Sequence, residues 1–240
     1  MPLSAAHGRL QSIPLQANSP RFRNTKNLPN VMEALGATRQ CHRGQKIYGR
    51  EDPVEQWYRV VSGMARKSTV LNDGRRRIVD FLLPGDYFGF SANDEHYFDV
   101  EVVVEGTILA CYSRRQVEAL ADSDPEVSRH IRRLAMRATH RLQGRILILG
   151  YTRALEKVRA FLIEMGQRSQ DGSSPVVVLP MSRYDIADYL AVSVETVSRA
   201  LTTLKRRGVI ALPDRHRVMV IDPGALMEEQ RSRRVSARRR

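Results

Sequence analysis

Cysteine is scarce: Cys41 and Cys111 are the two thiols in 240 residues, and they stand far apart with no CxxC spacing. That excludes a disulfide framework and a zinc cage and leaves two ordinary buried thiols in strands. Long apolar runs are missing as well. No stretch approaches the roughly 20 residues that a bilayer-crossing helix needs, and the first 30 residues lack the apolar segment of a secretory signal. A cytoplasmic location without a membrane span is therefore expected. Acidic residues are in deficit, 26 against 39 Lys plus Arg, which leaves a formal charge of +13. A polyanionic partner is the economical reason for so much positive charge, with nucleic acid first and an anionic membrane surface second. Enzymatic signatures are absent too: there is no Gly-rich phosphate loop, no G-x-S-x-G, no HExxH and no convincing acid/base constellation. No catalytic residue, metal site or cofactor site is assigned.

With 42% hydrophobic and 27% charged residues, the chain has ordinary globular usage and enough length for two modest domains. Residues 1–27 are rich in Ser, Pro, Asn, Arg and Gln without periodicity and read as a disordered basic leader, followed by a short helix within 28–37. From Arg39 to Tyr112 come short β-type runs, among them "WYRVVSGMARKSTVL", "RRIVDFLL" and "FDVEVVVEGTILACY". Turn signals at Gly44, Gly63, Asn72-Asp73-Gly74, Pro84-Gly85-Asp86 and Glu105-Gly106 separate them. Asn-Asp-Gly between alternating runs is a strong hairpin signal. Many short strands at near-regular spacing predict a sandwich or small barrel over 28–121.

The rhythm then becomes helical. After a break at Asp122 to Pro125, the apolar residues Val127, Ile131, Leu134, Ala138, Leu142, Ile146 and Leu149 recur at gaps of 4, 3, 4, 4, 4 and 3. A narrow stripe flanked by arginines is what a two-helix seam looks like, so 122–150 is expected to be a dimerisation helix. A single helix packed on the barrel remains the alternative, because Gly144 and the imperfect heptad weaken the pattern.

A further helix over Tyr151 to Met165, a loop "QRSQDGSS" and a strand "VVVL" lead to "MSRYDIADYLAVSVETVSRALTTLKRRGVI". Ser182 with Asp185 three residues on is an N-cap signal, and Ile186, Ala187, Tyr189 and Leu190 give that helix an inward face. Ala191-Val192-Ser193 interrupts it. Ser193 caps the next helix, whose inward positions are Val197, Ala200, Leu201 and Leu204. Val194, Glu195, Ser198 and Arg199 remain on its outer face near the N-terminal end. Two helices joined by a tight turn, the second presenting polar side chains early, predict a helix-turn-helix whose second helix fits the major groove. Arg199 can donate twice to guanine O6 and N7; Glu195 can accept from a cytosine amino group and steady the guanidinium. A solvated i,i+4 ion pair is the plain alternative for Glu195 and Arg199. Phosphate contact is expected of Ser182, Ser193, Thr196, Lys205, Arg206 and Arg217. The strand, turn and strand of "VIALPDRHRVMVID" make a wing, so 151–225 is a winged helix-turn-helix unit. Residues 226–240, ending in "RSRRVSARRR", form a basic tail expected to add nonspecific DNA attraction.

The segment "SRYDIADYLAVSVETVSRALTTLKRRGVI" resembles the DNA-binding motif of the Crp/Fnr superfamily of bacterial transcription regulators, and the E-x-x-S-R form is similar to its Fnr and FixK branches. "GQKIY", "WYRVVSGMARKS" and "LLPGDYFGF" are collinear with the superfamily's β-roll. The resemblance implies an α+β chain with an N-terminal, cyclic-nucleotide-binding-like jelly roll, a long dimerisation helix and a C-terminal winged helix. It also implies a homodimeric activator that reads palindromic operators with TTGA-type half-sites on double-stranded DNA and contacts RNA polymerase. Microaerobic, denitrification or nitrogen-fixation genes would be the targets.

The departures from the family bear on regulation. Cyclic-nucleotide binders place a Glu just after the Gly of the phosphate cassette and an Arg several residues on; here Phe90 follows Gly89 and no Arg precedes Glu101. Cyclic AMP is not expected. The leader has no cysteines for an iron–sulfur cluster. His96 and His42 are the candidates to ligate a haem, each read as plain surface histidine in a polar loop. An effector-gated sensor binding an unknown small molecule or haem in the roll is the alternative function.

Overall fold

A computed structural model describes residues 35–168 and 174–227. The leader, all but the end of the short helix expected over 28–37, and the basic tail from residue 228 onward lie outside the described residues. The first unit is a pair of four-stranded antiparallel sheets. One has the order β1-β8-β3-β6 and is built from β1 (Ala37–Cys41), β3 (Gln56–Ser62), β6 (Tyr87–Phe88) and β8 (Thr107–Ser113). The other has the order β2-β7-β4-β5, from β2 (Lys46–Tyr48), β4 (Ala65–Val70), β5 (Arg76–Leu82) and β7 (Asp99–Val102). Tyr48, Tyr58, Val60, Ala65, Leu82, Phe88, Val100, Val102 and Leu109 from both sheets fill the space between them. Cys41 is buried at the end of β1 and Cys111 half-buried in β8.

The Asn-Asp-Gly signal forms the β4–β5 hairpin as expected, but the positive φ is confined to Gly74 (φ +79°). Asp73 instead contributes its carboxylate, which accepts from the Arg75 amide at 3.0 Å. Gly89 is required for a different reason. Its φ is +91°, and a Cβ there would stand 2.9 Å from the Gln56 carbonyl, so no side chain fits the turn after β6.

Helices α1 (Arg114–Ser123) and α2 (Pro125–Leu149) follow. Asp124 caps α2 by accepting from the Glu126 amide at 2.8 Å, and Pro125 occupies the first turn, where its missing N–H costs nothing. The predicted seven-residue stripe is divided between two faces. Val127 and Leu134 are buried within the chain and Ile131 packs on the Trp57–Tyr112–Val117 cluster, whereas Leu142 and Ile146 are exposed. Ala138 and Leu149 are half-buried. Helical geometry accounts for the split. Three successive i+4 steps from Leu134 to Ile146 each advance the side chain about 40° around the axis, which carries the stripe roughly 120° away from the roll-facing side. Val127, Leu134 and Ile148 mark the inner line, with Arg141 and Arg145 between them. Met136, Leu142, Ile146 and Leu147 form the apolar part of the outer one.

The C-terminal unit comprises α3 (Ala154–Arg168), β9 (Val176–Val178), α4 (Arg183–Leu190), α5 (Val194–Arg206), β10 (Ile210–Ala211) and β11 (Arg217–Val220). Its sheet has the order β10-β11-β9. One apolar core joins it to the roll: Met64, Ile78 and Phe81 from the strands pack with Phe161, Tyr189 and Leu190 from the helices. The Phe81 ring lies 5.1 Å from that of Tyr189 and 6.2 Å from that of Phe161. Burying one such ring contributes roughly 1.5–3 kcal/mol, so the two units are held by more than the chain that links them.

Candidate nucleic-acid interface

Helix α4 begins at Ser182, whose Oγ accepts from the Asp185 amide at 3.1 Å while the Asp185 carboxylate accepts from the Ser182 amide at 3.1 Å. This reciprocal capping box satisfies amides that would otherwise lack partners at the helix start. Ile186, Ala187, Tyr189 and Leu190 are buried, as their spacing predicts. The buried Tyr189 hydroxyl donates to Glu164 at 3.0 Å. Burial raises the Glu164 carboxyl above the usual range, although Arg168 and the Tyr189 bond oppose it. Burial, with Glu164 second, likewise raises the Tyr189 phenol.

The turn is made by Ala191, held at φ +53° and ψ +49°, a left-handed conformation that costs an alanine about 1–2 kcal/mol. Ser193 then caps α5, its Oγ accepting from the Thr196 amide at 3.2 Å and lying 2.9 Å from the Thr196 hydroxyl. Val197, Ala200, Leu201 and Leu204 face inward and lock α5 against α3 and α4.

The outer face of α5 is different. Glu195, Ser198 and Arg199 are exposed, and Val194 is half-buried against the core. Among the described residues no ion pair within 4 Å joins Arg199 to a carboxylate, although its charge lies close enough to act on Glu195. The Glu195 carboxyl is held below its usual range by its own backbone amide, by the Ser193 hydroxyl and by the nearby Arg199 charge. Ser198 donates its proton to the Val194 carbonyl at 2.9 Å, which leaves its oxygen lone pairs as acceptors. Lys205 and Arg206 are exposed in the last turn, where positive charge also suits the helix dipole.

In the wing, Arg217 donates to Asp214 at 2.6 Å and the His216 amide donates to the same carboxylate at 2.8 Å. The Arg217 side chain lowers the Asp214 carboxyl, with the His216 amide second. Arg217 is thus already paired, while Arg215 is exposed at the tip. Ser182 and Ser193 have their hydroxyls in caps, so any phosphate would meet them beside amides at helix N-termini.

In the roll, Phe90, which follows Gly89, packs edge-on against Trp57 with centroids 4.7 Å apart. His96 corrects an expectation. It is buried, not surface, and stacks on Tyr48 at 3.6 Å with planes 10° apart. His42 is exposed and pairs with Glu105 at 2.9 Å. Sequence reasoning passed over Arg66 and Arg76, which lie on β4 and β5 yet bond to Asp185 of α4, 119 and 109 residues away. At that separation no local pattern signals the pairing, and "GRRRIV" reads as an ordinary charged hairpin edge. Among the described residues no helix is long and apolar enough to cross a membrane.

Known proteins share this arrangement. Residues 38–124 match the family described as cyclic nucleotide-binding domain and residues 156–229 the Crp-like helix-turn-helix domain. The nitrogen fixation regulation protein FixK of Rhizobium meliloti (strain 1021) is 40% identical over 183 residues, 76% of this chain and 82% of the relative. Its namesake in Azorhizobium caulinodans is 40% identical over 199 residues, 82% of this chain and 80% of the relative. The solved structure of FixK2 from Bradyrhizobium japonicum superposes with a TM-score of 0.75 at 33% identity, covering 80% of this chain and 96% of that one.

Proposed function

Because the chain belongs to the Crp/Fnr family of DNA-binding transcription regulators, with FixK proteins among its relatives, we propose that it is a homodimeric activator of palindromic operators. Residues 28–121 serve as the roll, 122–150 as the dimer helix and 151–225 as the DNA-binding unit. Each protomer inserts α5 into one of two major grooves about one helical turn apart. Arg199 donates to a guanine edge, Glu195 accepts from a cytosine amino group and holds the guanidinium in plane, and Ser198 offers a small acceptor beside them. Val194 adds an apolar contact at the rim of the face. Lys205 and Arg206, Ser182, Ser193 and Thr196 at the helix N-termini, and Arg217 at the wing meet phosphates.

The observation that carries this reading is the contrast on α5 itself: a packed inner face and an exposed outer face on which Glu195 and Arg199 stand one turn apart. The dimer seam is the outer line of α2, where Leu142, Ile146 and Leu147 are 43%, 66% and 71% exposed, and Val127 and Leu134 are excluded from it. Homodimer symmetry then dictates operator symmetry. An activator of this kind contacts RNA polymerase through exposed roll or wing surface, and nitrogen-fixation or microaerobic genes are the proposed targets by kinship.

Selection of preferred sites from random double-stranded DNA by ligand-free protein tests the reading. Enrichment of an inverted repeat with TTGA-type halves is expected. Enrichment of a single half-site, or of nothing, would overturn it, and a requirement for an added small molecule would favour the effector-gated alternative.

A further inference from the structure

The Asp185 carboxylate has two tasks on its two oxygens. Oδ2 lies 3.1 Å from the Ser182 amide and 2.8 Å from its hydroxyl, closing the cap of α4. Oδ1 accepts from Arg66 Nη1 of β4 and from Arg76 Nη2 of β5, each at 2.7 Å. Both guanidinium groups bind a second carboxylate. Arg66 Nη2 donates to Glu101 of β7 at 2.9 Å, and Arg76 Nε donates to Asp188, one turn further along α4, at 2.8 Å. The Asp185 side chain is 4% exposed and that of Arg66 16%, so the bond between them is shielded from water and salt, while Arg76 and Asp188, at 32% and 28%, lie at the solvent edge of the cluster. A third guanidinium, Arg145 of α2, donates to the Val79 carbonyl of β5 and to the Tyr189 carbonyl of α4.

The apolar packing between Phe81 and Tyr189 attracts without preferred direction. Guanidinium–carboxylate bonds, by contrast, have fixed planes and lengths. The former holds α4 to the roll; the latter set its angle. Since α4 and α5 pack as one body, that angle is transmitted to Arg199.

Resting on the homodimer reading above, we propose that Arg66 and Arg76 are positioning residues for operator recognition: they fix the helix-turn-helix relative to the roll and so set the separation of the two reading helices. They touch no DNA. Their loss relaxes the spacing that the dimer accepts and leaves base reading within one half-site intact.

The test uses full-length Arg76→Gln, Arg66→Gln and Asp188→Asn proteins, with Arg76→Lys as the conservative control. Asp188→Asn leaves the capping box untouched and guards against a variant that fails to fold. Binding is measured to the selected palindrome, to the same palindrome with one base pair added or removed between its halves, and to an isolated half-site. The variants should lose roughly 10-fold on the palindrome and discriminate poorly among spacings, while half-site affinity stays near wild type; Arg76→Lys should recover part of the loss. Unchanged spacing preference in every variant would overturn the proposal. So would equal weakening on half-site and palindrome, the mark of lost charge or lost stability. If wild-type protein itself ignores spacing, the homodimer reading falls and hydrogen exchange decides the lock. Faster exchange of the Arg183–Leu190 amides in Arg66→Gln, with β3 and β8 unchanged, would then uphold it, and unaltered exchange would reject it.

Discussion

Helices α4 and α5 are neighbours packed on one core, and their acidic and basic side chains have different fates. On α4 the Ser182, Asp185, Asp188 and Tyr189 groups are engaged within the chain, with the cap, with β4 and β5 of the roll, or with Glu164. On α5 the Glu195 and Arg199 side chains extend into solvent from a body fixed by four buried apolar residues. Polar groups that satisfy one another inside a fold explain its shape. Polar groups held rigidly and left available explain what it binds. The same division separates the faces of α2, one packed on the roll and one apolar and exposed.

The largest effect should come from the inner side. Tyr189→Ala removes a buried ring and leaves Glu164 without its phenol donor, and should cost about 3–5 kcal/mol in denaturant unfolding. Ser198→Ala on the outer side should stay within about 0.5 kcal/mol. Equal costs would erase the contrast between the two helices. Next comes the outer line of α2. Leu142→Asp with Ile146→Asp should give a folded monomer by sedimentation, with operator binding reduced to that of a half-site. An intact dimer would place the seam elsewhere.

A smaller change is expected from Lys205→Ala with Arg206→Ala. If both meet phosphates, affinity should fall alike on operator and scrambled DNA, and the salt slope should lessen by about 0.9 for each phosphate no longer neutralised. A loss confined to the operator would make them base readers. The smallest effect concerns His96. Burial holds its imidazole below the usual histidine value of about 6.5, with Lys67 also lowering it and Asp52 opposing. The unfolded chain therefore takes up the proton first, so this contribution to stability is complete above about pH 6.5 and is lost as the pH falls below it. His96→Phe should flatten the unfolding midpoint between about pH 7 and about pH 5.5, and an unchanged slope would show that His96 is not the group responsible.

Local chemistry made much of this legible in the sequence. The caps at Ser182 and Ser193, the Asn-Asp-Gly hairpin and the inward faces of α4 and α5 depend on residues within a helical turn or so of one another, and spacing reports them directly. What escaped depends on distant partners. The burial of His96, in the loop before β7, follows from its stacking on Tyr48 of β2. The role of Arg66 and Arg76 follows from a helix 119 and 109 residues away. The α2 stripe was apolar in composition, yet which arc faces the roll is fixed by the roll's own surface, and no periodicity within the helix carries that information.

Base reading by the proposed Arg199 contact is tested by comparing wild type with Arg199→Ala on the selected operator and on copies altered one base pair at a time. The variant should lose about 1–3 kcal/mol of discrimination at a single base pair per half-site, with its preferences elsewhere and its salt slope unchanged. Equal weakening on operator and scrambled DNA would contradict the account, because the guanidinium would then be no more than a phosphate ligand.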